Sequence, residues 1–303
     1  MLFTTPVDIA KAPFQINPCE RMLFVGSCFA DRIGARFAEE RFPVTVNPFG
    51  VMYNPVSILH TVERIVKGES RESRVEGAEF TTVVLTLGTN HVYVEKATGE
   101  VVDNCQKRPQ HLFEERELNV EDCSTYLRQT ITLLQERFPN IRIILTVSPI
   151  RYRKYGFHGS QLSKATLLLA IEEITKRQGA KSDERGVGKA SPMGGGGRGL
   201  LYYFPAYEIV LDELRDYRFY DADMLHPSAQ AVEYIWQKLV ETCFSDETKQ
   251  YLEEWRPVKE ALAHRPFNPD STEYKTFLQK AKEQEAALAA RYPGFVFVES
   301  NQP

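Results

Sequence analysis

The sequence is poor in the features that mark secreted, membrane-spanning and nucleic-acid-binding proteins. Its five cysteines are scattered and include no Cys-x-x-Cys pair, which argues against a disulfide scaffold or a zinc site and favours a reducing cytoplasm. It has no run of 18 apolar residues, so no membrane span is predicted. Its 37 basic and 41 acidic residues leave a net charge of −4, so no nucleic-acid partner is expected.

Two more absences narrow the possible functions. The start of the chain lacks the basic stretch and the long apolar stretch of a signal peptide, which agrees with the expected cytoplasmic location. No Gly-x-x-x-x-Gly-Lys-Ser/Thr pattern follows a strand, although residues 178–199 contain eight glycines. That glycine-rich segment cannot bury a core and is predicted to be a flexible surface loop.

The chain has enough apolar residues for a large core. Hydrophobic residues make up 43% of the 303 residues. Strand patterns alternate with helix patterns over residues 1–244, which predicts a three-layer α/β/α sandwich around a mostly parallel sheet of about five strands. These strands are predicted at 22–25, 43–47, 80–87, 141–147 and 200–204, with an additional hairpin over 92–102. Residues 245–303 read as a charged helical extension.

The first strand and the helix after it enclose two reactive side chains. Four apolar residues at 22–25 precede Gly26, Ser27 and Cys28. The helix then carries apolar residues at a spacing of four, namely Phe29, Ile33 and Phe37. In an open parallel sheet such a turn lies at the carboxyl edge, where ligands bind.

Other polar residues are predicted at the same edge. Loops at 47–54, 88–90 and 148–151 follow strands, and a loop at 221–228 precedes the last helix of the domain. Within that loop His226 lies three residues after Asp223, so His226 is a candidate base and Asp223 a candidate orienting acid. Either Cys28 or Ser27 is the candidate nucleophile.

Stabilisation of a negatively charged oxygen needs donors near the nucleophile. The predicted donors are the backbone N–H groups of Cys28 and Gly50 together with the side-chain amide of Asn90. A metal site built on Cys28 and His226 lacks a third ligand at a recognisable spacing, so neither a metal nor another cofactor is predicted.

Four segments resemble the four sequence blocks of SGNH/GDSL hydrolases. They are Gly-x-nucleophile at 26–28, the glycine at 50, Gly-x-Asn at 88–90 and Asp-x-x-His at 223–226. The string Gly-Ser-Cys-Phe-Ala at 26–30 resembles the GSCFA family in particular, and the similarity covers roughly residues 1–243. It continues through segments at 47–50, 104–107, 148–151, 163–164 and 217–227. The resemblance implies an SGNH-like fold and adds Asn47, Asn104 and Arg151 as candidate substrate-binding residues.

The sequence departs from the hydrolase pattern at two positions. Ser27 occupies the place of the usual aspartate and Cys28 that of the nucleophile, while Gln106 stands where the family segment usually has histidine. The resemblance implies an ester hydrolase or an acyltransferase acting on a small-molecule or carbohydrate ester, with an acyl donor in the case of transfer. The alternative is a non-catalytic ligand-binding module that keeps the fold and the pocket.

Overall fold

The residues that the structure describes form eight strands and eight α-helices. The structure is a computed structural model that describes residues 4–69, 79–103, 105, 108–183 and 200–297. The strands are β1 (Met22–Gly26), β2 (Val44–Val46), β3 (Thr82–Leu87), β4 (His91–Glu95), β5 (Val101–Val102), β6 (Phe113–Glu117), β7 (Arg142–Val147) and β8 (Leu200–Tyr203). The helices are α1 (Cys28–Glu39), α2 (Pro55–Val66), α3 (Val120–Arg137), α4 (Gly156–Asp183), α5 (Ala206–Glu208), α6 (Ala229–Cys243), α7 (Asp246–Ala263) and α8 (Thr272–Arg291).

The central sheet confirms the predicted architecture. Its five strands lie in the order β2-β1-β3-β7-β8, and each strand pairs in parallel with its neighbours. Alternate residues of β1 face opposite cores: Met22 and Phe24 join the cluster that includes residues of α1, α6 and α7, and Leu23 and Val25 join the one with α2, α3 and α4. The sheet is therefore covered on both faces, and its carboxyl edge is left to the loops.

A second, smaller sheet lies beyond β3. It has the order β5-β4-β6 with antiparallel pairing, which confirms the predicted hairpin. The third strand, β6, was not predicted. Four of its five residues are exposed and charged, so it lacks the alternation of apolar and polar residues by which half-buried strands are recognised.

Two helical segments differ from the prediction. Helix α4 continues to Asp183, so the first residues of the predicted glycine-rich loop are helical, and 184–199 lie outside the described residues. The helix predicted over 206–215 is the short α5 followed by the π-helical segment Ile209–Leu214. This segment ends at Arg215, whose positive φ of 43° stops the helix.

The C-terminal helices pack against the end of α1. Tyr251 donates its hydroxyl to the carbonyl of Glu40 at 2.7 Å, and the Trp255 indole N–H donates to the carbonyl of Glu39 at 3.2 Å. Both aromatic side chains belong to the same apolar cluster as Phe37 of α1. Within the part of the chain that the structure describes, none of the helices has the length and apolar character needed to cross a membrane.

Candidate functional site

The turn between β1 and α1 is fixed by contacts with β3. Gly26 has a φ of 142°, and a Cβ at this position would lie 2.1 Å from the Thr86 carbonyl oxygen. The Ser27 N–H donates to the Thr86 carbonyl at 3.1 Å and to Thr86 Oγ1 at 2.9 Å. Only glycine fits the first position, and the strand pairing then sets the direction in which the helix leaves the sheet.

Ser27 is enclosed at the start of the helix. Its side chain is fully buried, and its Oγ accepts the Phe29 N–H at 3.3 Å and lies 3.1 Å from Thr86 Oγ1. This is the geometry of an N-cap, which satisfies one of the free donors of α1. The hydroxyl therefore serves the fold at this position.

Cys28 is the first residue of α1 and has a half-buried side chain. At this position its own N–H has no acceptor within the helix. Its Sγ lies 3.7 Å from the Tyr53 hydroxyl. Burial, with the hydrogen bond to Cys28 as a further cause, raises the pKa of Tyr53 to about 12. The phenol therefore stays protonated at neutral pH and can donate to the sulfur or to an oxygen beside it.

The predicted acid and base meet in one turn. The Asp223 carboxylate accepts the N–H groups of Leu225 at 2.9 Å and His226 at 3.0 Å, and its other oxygen lies 2.5 Å from His226 Nδ1. These hydrogen bonds, first those of the backbone and then that of the ring, hold the pKa of Asp223 well below its usual value. An ionised Asp223 keeps the imidazole proton on Nδ1 and leaves Nε2 as the basic nitrogen.

Three long-range contacts hold this turn at the carboxyl edge. Arg32, one helical turn after Cys28, forms an ion pair with Asp221, whose N–H donates to the His226 carbonyl at 2.8 Å. Arg151 N–H donates to the Leu225 carbonyl at 3.1 Å, and the Arg151 guanidinium donates to the Met224 carbonyl at 3.2 Å.

The turn is thus anchored both to α1 and to the loop after β7. Among the described residues, Cys28 Sγ contacts the Tyr53 hydroxyl and His226 Nδ1 contacts Asp223, and no hydrogen bond joins Sγ to the His226 ring. In the described ranges, no group of three His, Cys, Asp or Glu side chains is arranged to hold a metal ion.

One predicted oxyanion donor is already bonded within its own loop. The Gly50 N–H donates to the Asn47 carbonyl at 2.8 Å, so in this conformation it is not free to meet an oxyanion. The turn of 47–50 closes on itself because Asn47 takes a positive φ of 41°. Asn90 is buried, and its side-chain amide donates to the Leu118 carbonyl at 2.7 Å.

The residues added by family resemblance fall in three different places. The Asn47 side chain accepts the Gly26 N–H at 2.9 Å and donates to Asp31 at 2.7 Å, so it braces the turn before Cys28. Arg151 lies beside the His226 turn, as described above. Asn104 lies outside the described residues.

Lys164 lies at the carboxyl edge of the sheet, and the sequence alone assigns it no role. Its side chain is 1% exposed, and Nζ donates to the Gly88 carbonyl at 2.6 Å and to the Ser148 carbonyl at 2.7 Å. Burial lowers its pKa to about 7, while the two carbonyl acceptors act in the opposite direction by favouring the ammonium. Its burial could have been predicted from the sequence, because helical spacing places Lys164 on the same face of α4 as Leu167 and Ile171, which are also buried.

Several solved structures are similar to this chain at low sequence identity. No curated protein matches it. Similar solved structures include an acetylxylan esterase from Geobacillus stearothermophilus (12% identity, TM-score 0.41, 77% of this chain and 98% of that one). A member of the lipolytic G-D-S-L family from Veillonella parvula has 12% identity and a TM-score of 0.42, over 73% of this chain and 97% of that one. A carbohydrate esterase family 3 protein from Talaromyces cellulolyticus has 9% identity and a TM-score of 0.38, also over 73% of this chain and 97% of that one.

The family models match both parts of the chain. The C-terminal domain of GSCFA domain proteins matches residues 255–300. The model of the GSCFA family matches residues 21–79 and 71–239, which is more than half of the chain, and the protein therefore belongs to the GSCFA family.

Proposed function

We propose that this protein cleaves or transfers an ester-linked acyl group, with Cys28 as nucleophile, His226 as base and Asp223 as the acid that orients it. The observation that carries the proposal is the Asp223–His226 pair, held by Arg32 and Asp221 against the helix whose first residue is Cys28. A nucleophile, a base and an orienting carboxylate at one sheet edge are the parts that acyl transfer requires.

Cys28 is a better nucleophile than Ser27 on structural grounds. Ser27 Oγ is fully buried and bonded to Phe29 N–H and Thr86, whereas Cys28 is half-buried at the free end of α1. A thiol is also intrinsically the stronger nucleophile near neutral pH. The side chain that can reach a substrate is thus the one that follows the hydrolase register.

The reaction proceeds in two balanced halves. His226 Nε2 takes the thiol proton as Cys28 Sγ attacks the ester carbonyl carbon, and the carbonyl oxygen gains negative charge. The carbon–oxygen bond to the alcohol then breaks, the alcohol leaves with the proton from His226, and a thioester remains on Cys28. Water or an acceptor hydroxyl attacks the thioester and returns a proton through His226 to the released thiol.

The developing oxyanion is met by donors that this chain has available. The Cys28 N–H is unpaired within the helix and lies at the positive end of α1. The protonated Tyr53 hydroxyl, 3.7 Å from Sγ, supplies a second donor in place of the bonded Gly50 N–H.

The test is acylation of the full chain by p-nitrophenyl acetate, followed by intact mass spectrometry and peptide mapping. We expect a burst of p-nitrophenolate and one acetyl group on Cys28, both lost in Cys28→Ala and retained in Ser27→Gly, with circular dichroism to verify that each variant folds. Acetylation at Ser27, or full turnover by Cys28→Ala, contradicts the assignment. Absence of any acylation in the wild-type protein favours the non-catalytic binding module.

A further inference from the structure

A cleft of about 210 Å³ opens beside the turn that carries His226. Its walls come from the loop after β7, the start of α4 and the segment after α5. The lining residues used below are Arg151, Phe157, Lys164, Arg215, Tyr217 and Tyr220.

The cleft and the proposed catalytic turn share a wall. Arg151, which lines the cleft, bonds through its N–H and its guanidinium to the carbonyls of Leu225 and Met224, directly before His226. Tyr220, on the same wall, pairs with Pro227, directly after His226. A ligand in the cleft therefore lies next to the backbone that positions the base.

The charge that lines the cleft is positive. Among the described residues, neither Arg151 nor Arg215 forms an ion pair with a carboxylate. The one acidic residue on the wall, Asp216, is paired with Arg218 at 3.1 Å and accepts the Arg218 backbone N–H at 2.8 Å. Lys164, which is buried, is a further basic residue of the lining. Two guanidinium groups are thus left to meet an anion from outside the chain.

Aromatic rings surround one of these guanidinium groups. Arg151 Cζ lies 4.1 Å from the centroid of the Phe157 ring and 5.4 Å from that of Tyr220, so the guanidinium plane is held in place. Phe157 is 54% exposed and Tyr217 65% exposed, although both line the cleft. Exposed rings beside fixed donors suit a ring-shaped ligand that carries an anionic substituent.

We propose that this cleft binds the alcohol part of the ester through an anionic group, so that the substrates are acylated sugars or other ring alcohols bearing a carboxylate or a phosphate. Arg151 and Arg215 receive the anion, and Phe157 and Tyr217 contact the ring. This inference rests on the proposed function for its link to catalysis, whereas binding in the cleft does not depend on turnover.

Binding is measured first by calorimetry on the wild-type chain with glucuronate, glucose 6-phosphate and glucose, none of which carries an acyl ester. We expect one of the two anions to bind at least about tenfold more tightly than glucose, and the anion that does so identifies carboxylate or phosphate as the group recognised. Arg215→Gln should remove this preference and Arg215→Lys should keep most of it. Arg256→Gln, which changes an exposed arginine of α7 outside the cleft, should leave it unchanged.

The link to catalysis is measured with matched acetyl esters. Acetylated glucuronic acid is compared with its amide, and acetylated glucose 6-phosphate with acetylated glucose, and kcat/KM should favour the charged member of the pair only while Arg215 is present. Equal binding of charged and neutral probes, or equal losses in Arg215→Gln and Arg256→Gln, overturns the inference. Tight binding of an anion by a chain that shows no acylation supports the cleft and refutes the proposed chemistry.

Discussion

The proposed role of Tyr53 depends on one atom, its hydroxyl oxygen. Its hydroxyl lies 3.7 Å from Cys28 Sγ and remains protonated because its pKa is raised to about 12. If it donates to the oxyanion, Tyr53→Phe should lower the rate of acylation by about 10²-fold, as for removal of one such donor elsewhere, with little change in KM. The burst rate with p-nitrophenyl acetate measures this.

A control separates the loss of this hydroxyl from a general effect of removing one. Tyr274→Phe removes a hydroxyl from α8 that donates to the carbonyl of His264. That variant should acylate at the wild-type rate. Equal rates for wild type and Tyr53→Phe would leave the Cys28 N–H as the donor and refute the role of the phenol.

Asp223 and Asp221 have separate partners, which makes them distinguishable. Asp223 contacts His226 Nδ1, whereas Asp221 contacts Arg32. In Asp223→Asn an amide N–H faces Nδ1 and favours the wrong tautomer, so kcat should fall by about 10²- to 10⁴-fold, and His226→Ala should be at least as damaging. Asp221→Asn should retain more activity because it loosens the turn without changing the tautomer.

The pH profile gives a second readout for the same residue. The pKa of Asp223 lies below its usual range, so the carboxylate is ionised throughout the neutral range. Its titration should therefore add no limb to the kcat/KM profile above about pH 4. Equal losses in the two Asp variants, or an acidic limb near pH 5 that disappears in Asp223→Asn, would count against the assignment.

At the scale of elements, sequence patterns predicted features formed by residues close together in the chain. They did not predict contacts between residues far apart in the chain. The end of β1, the start of α1 and the pairing of Asp223 with His226 involve residues within three positions of each other, so spacing alone indicates them. The ion pair of Arg32 with Asp221 spans 189 positions. Side chains that meet only through the fold leave no periodic pattern to read.

Missed elements have similar physical causes. Strand β6 is stabilised by pairing with β4 rather than by an apolar face, so its exposed charged residues give no strand pattern. The N–H of Gly50 is a predicted oxyanion donor, yet in the structure it donates to the Asn47 carbonyl and closes the turn. Hydrogen bonds within a loop depend on backbone angles that composition does not specify.

Lys164 connects α4 to the loops that follow β3 and β7, and the protonation state of its amine can be tested through the pH dependence of stability. From α4 it bonds the carbonyls that follow β3 and β7, and a neutral amine still has two N–H groups for these two acceptors. Its pKa of about 7 in the folded chain lies below the ordinary lysine value of 10.5, so the unfolded chain binds more protons between these values. Stability from this group therefore rises with pH above 7.

Comparison with Lys164→Met isolates that contribution. Between pH 7 and pH 9 the free energy of unfolding of the wild type should rise relative to that of the variant by on the order of 2 kcal/mol, as obtained from urea titrations at each pH. Lys176→Met, a change at an exposed lysine of the same helix, should show no such difference. A constant gap between wild type and Lys164→Met over this range would mean that the buried amine keeps its proton.

At the scale of the whole molecule, the C-terminal helices share a core with the α/β sheet. Tyr251, Trp255 and Val258 of α7 belong to the same buried cluster as Phe24 of β1 and Phe37 of α1. The same helix α1 begins at Cys28 and ends against α7. The C-terminal extension thus packs against the end of α1 opposite the proposed nucleophile. We therefore expect the extension and the α/β domain to unfold together.

Trp255→Ala tests this coupling. The side chain is 1% exposed, its N–H is bonded to Glu39, and the Arg41 guanidinium lies 4.9 Å from its ring, so truncation removes packing and leaves a cavity. The free energy of unfolding should fall by about 3–5 kcal/mol, seen in calorimetry as one transition at a lower temperature. Phe267→Ala, which removes a fully exposed ring from the loop between α7 and α8, should change it by less than about 0.5 kcal/mol. Two separate transitions in Trp255→Ala, with the upper one at the wild-type temperature, would show instead that the extension melts alone and that α1 does not depend on it.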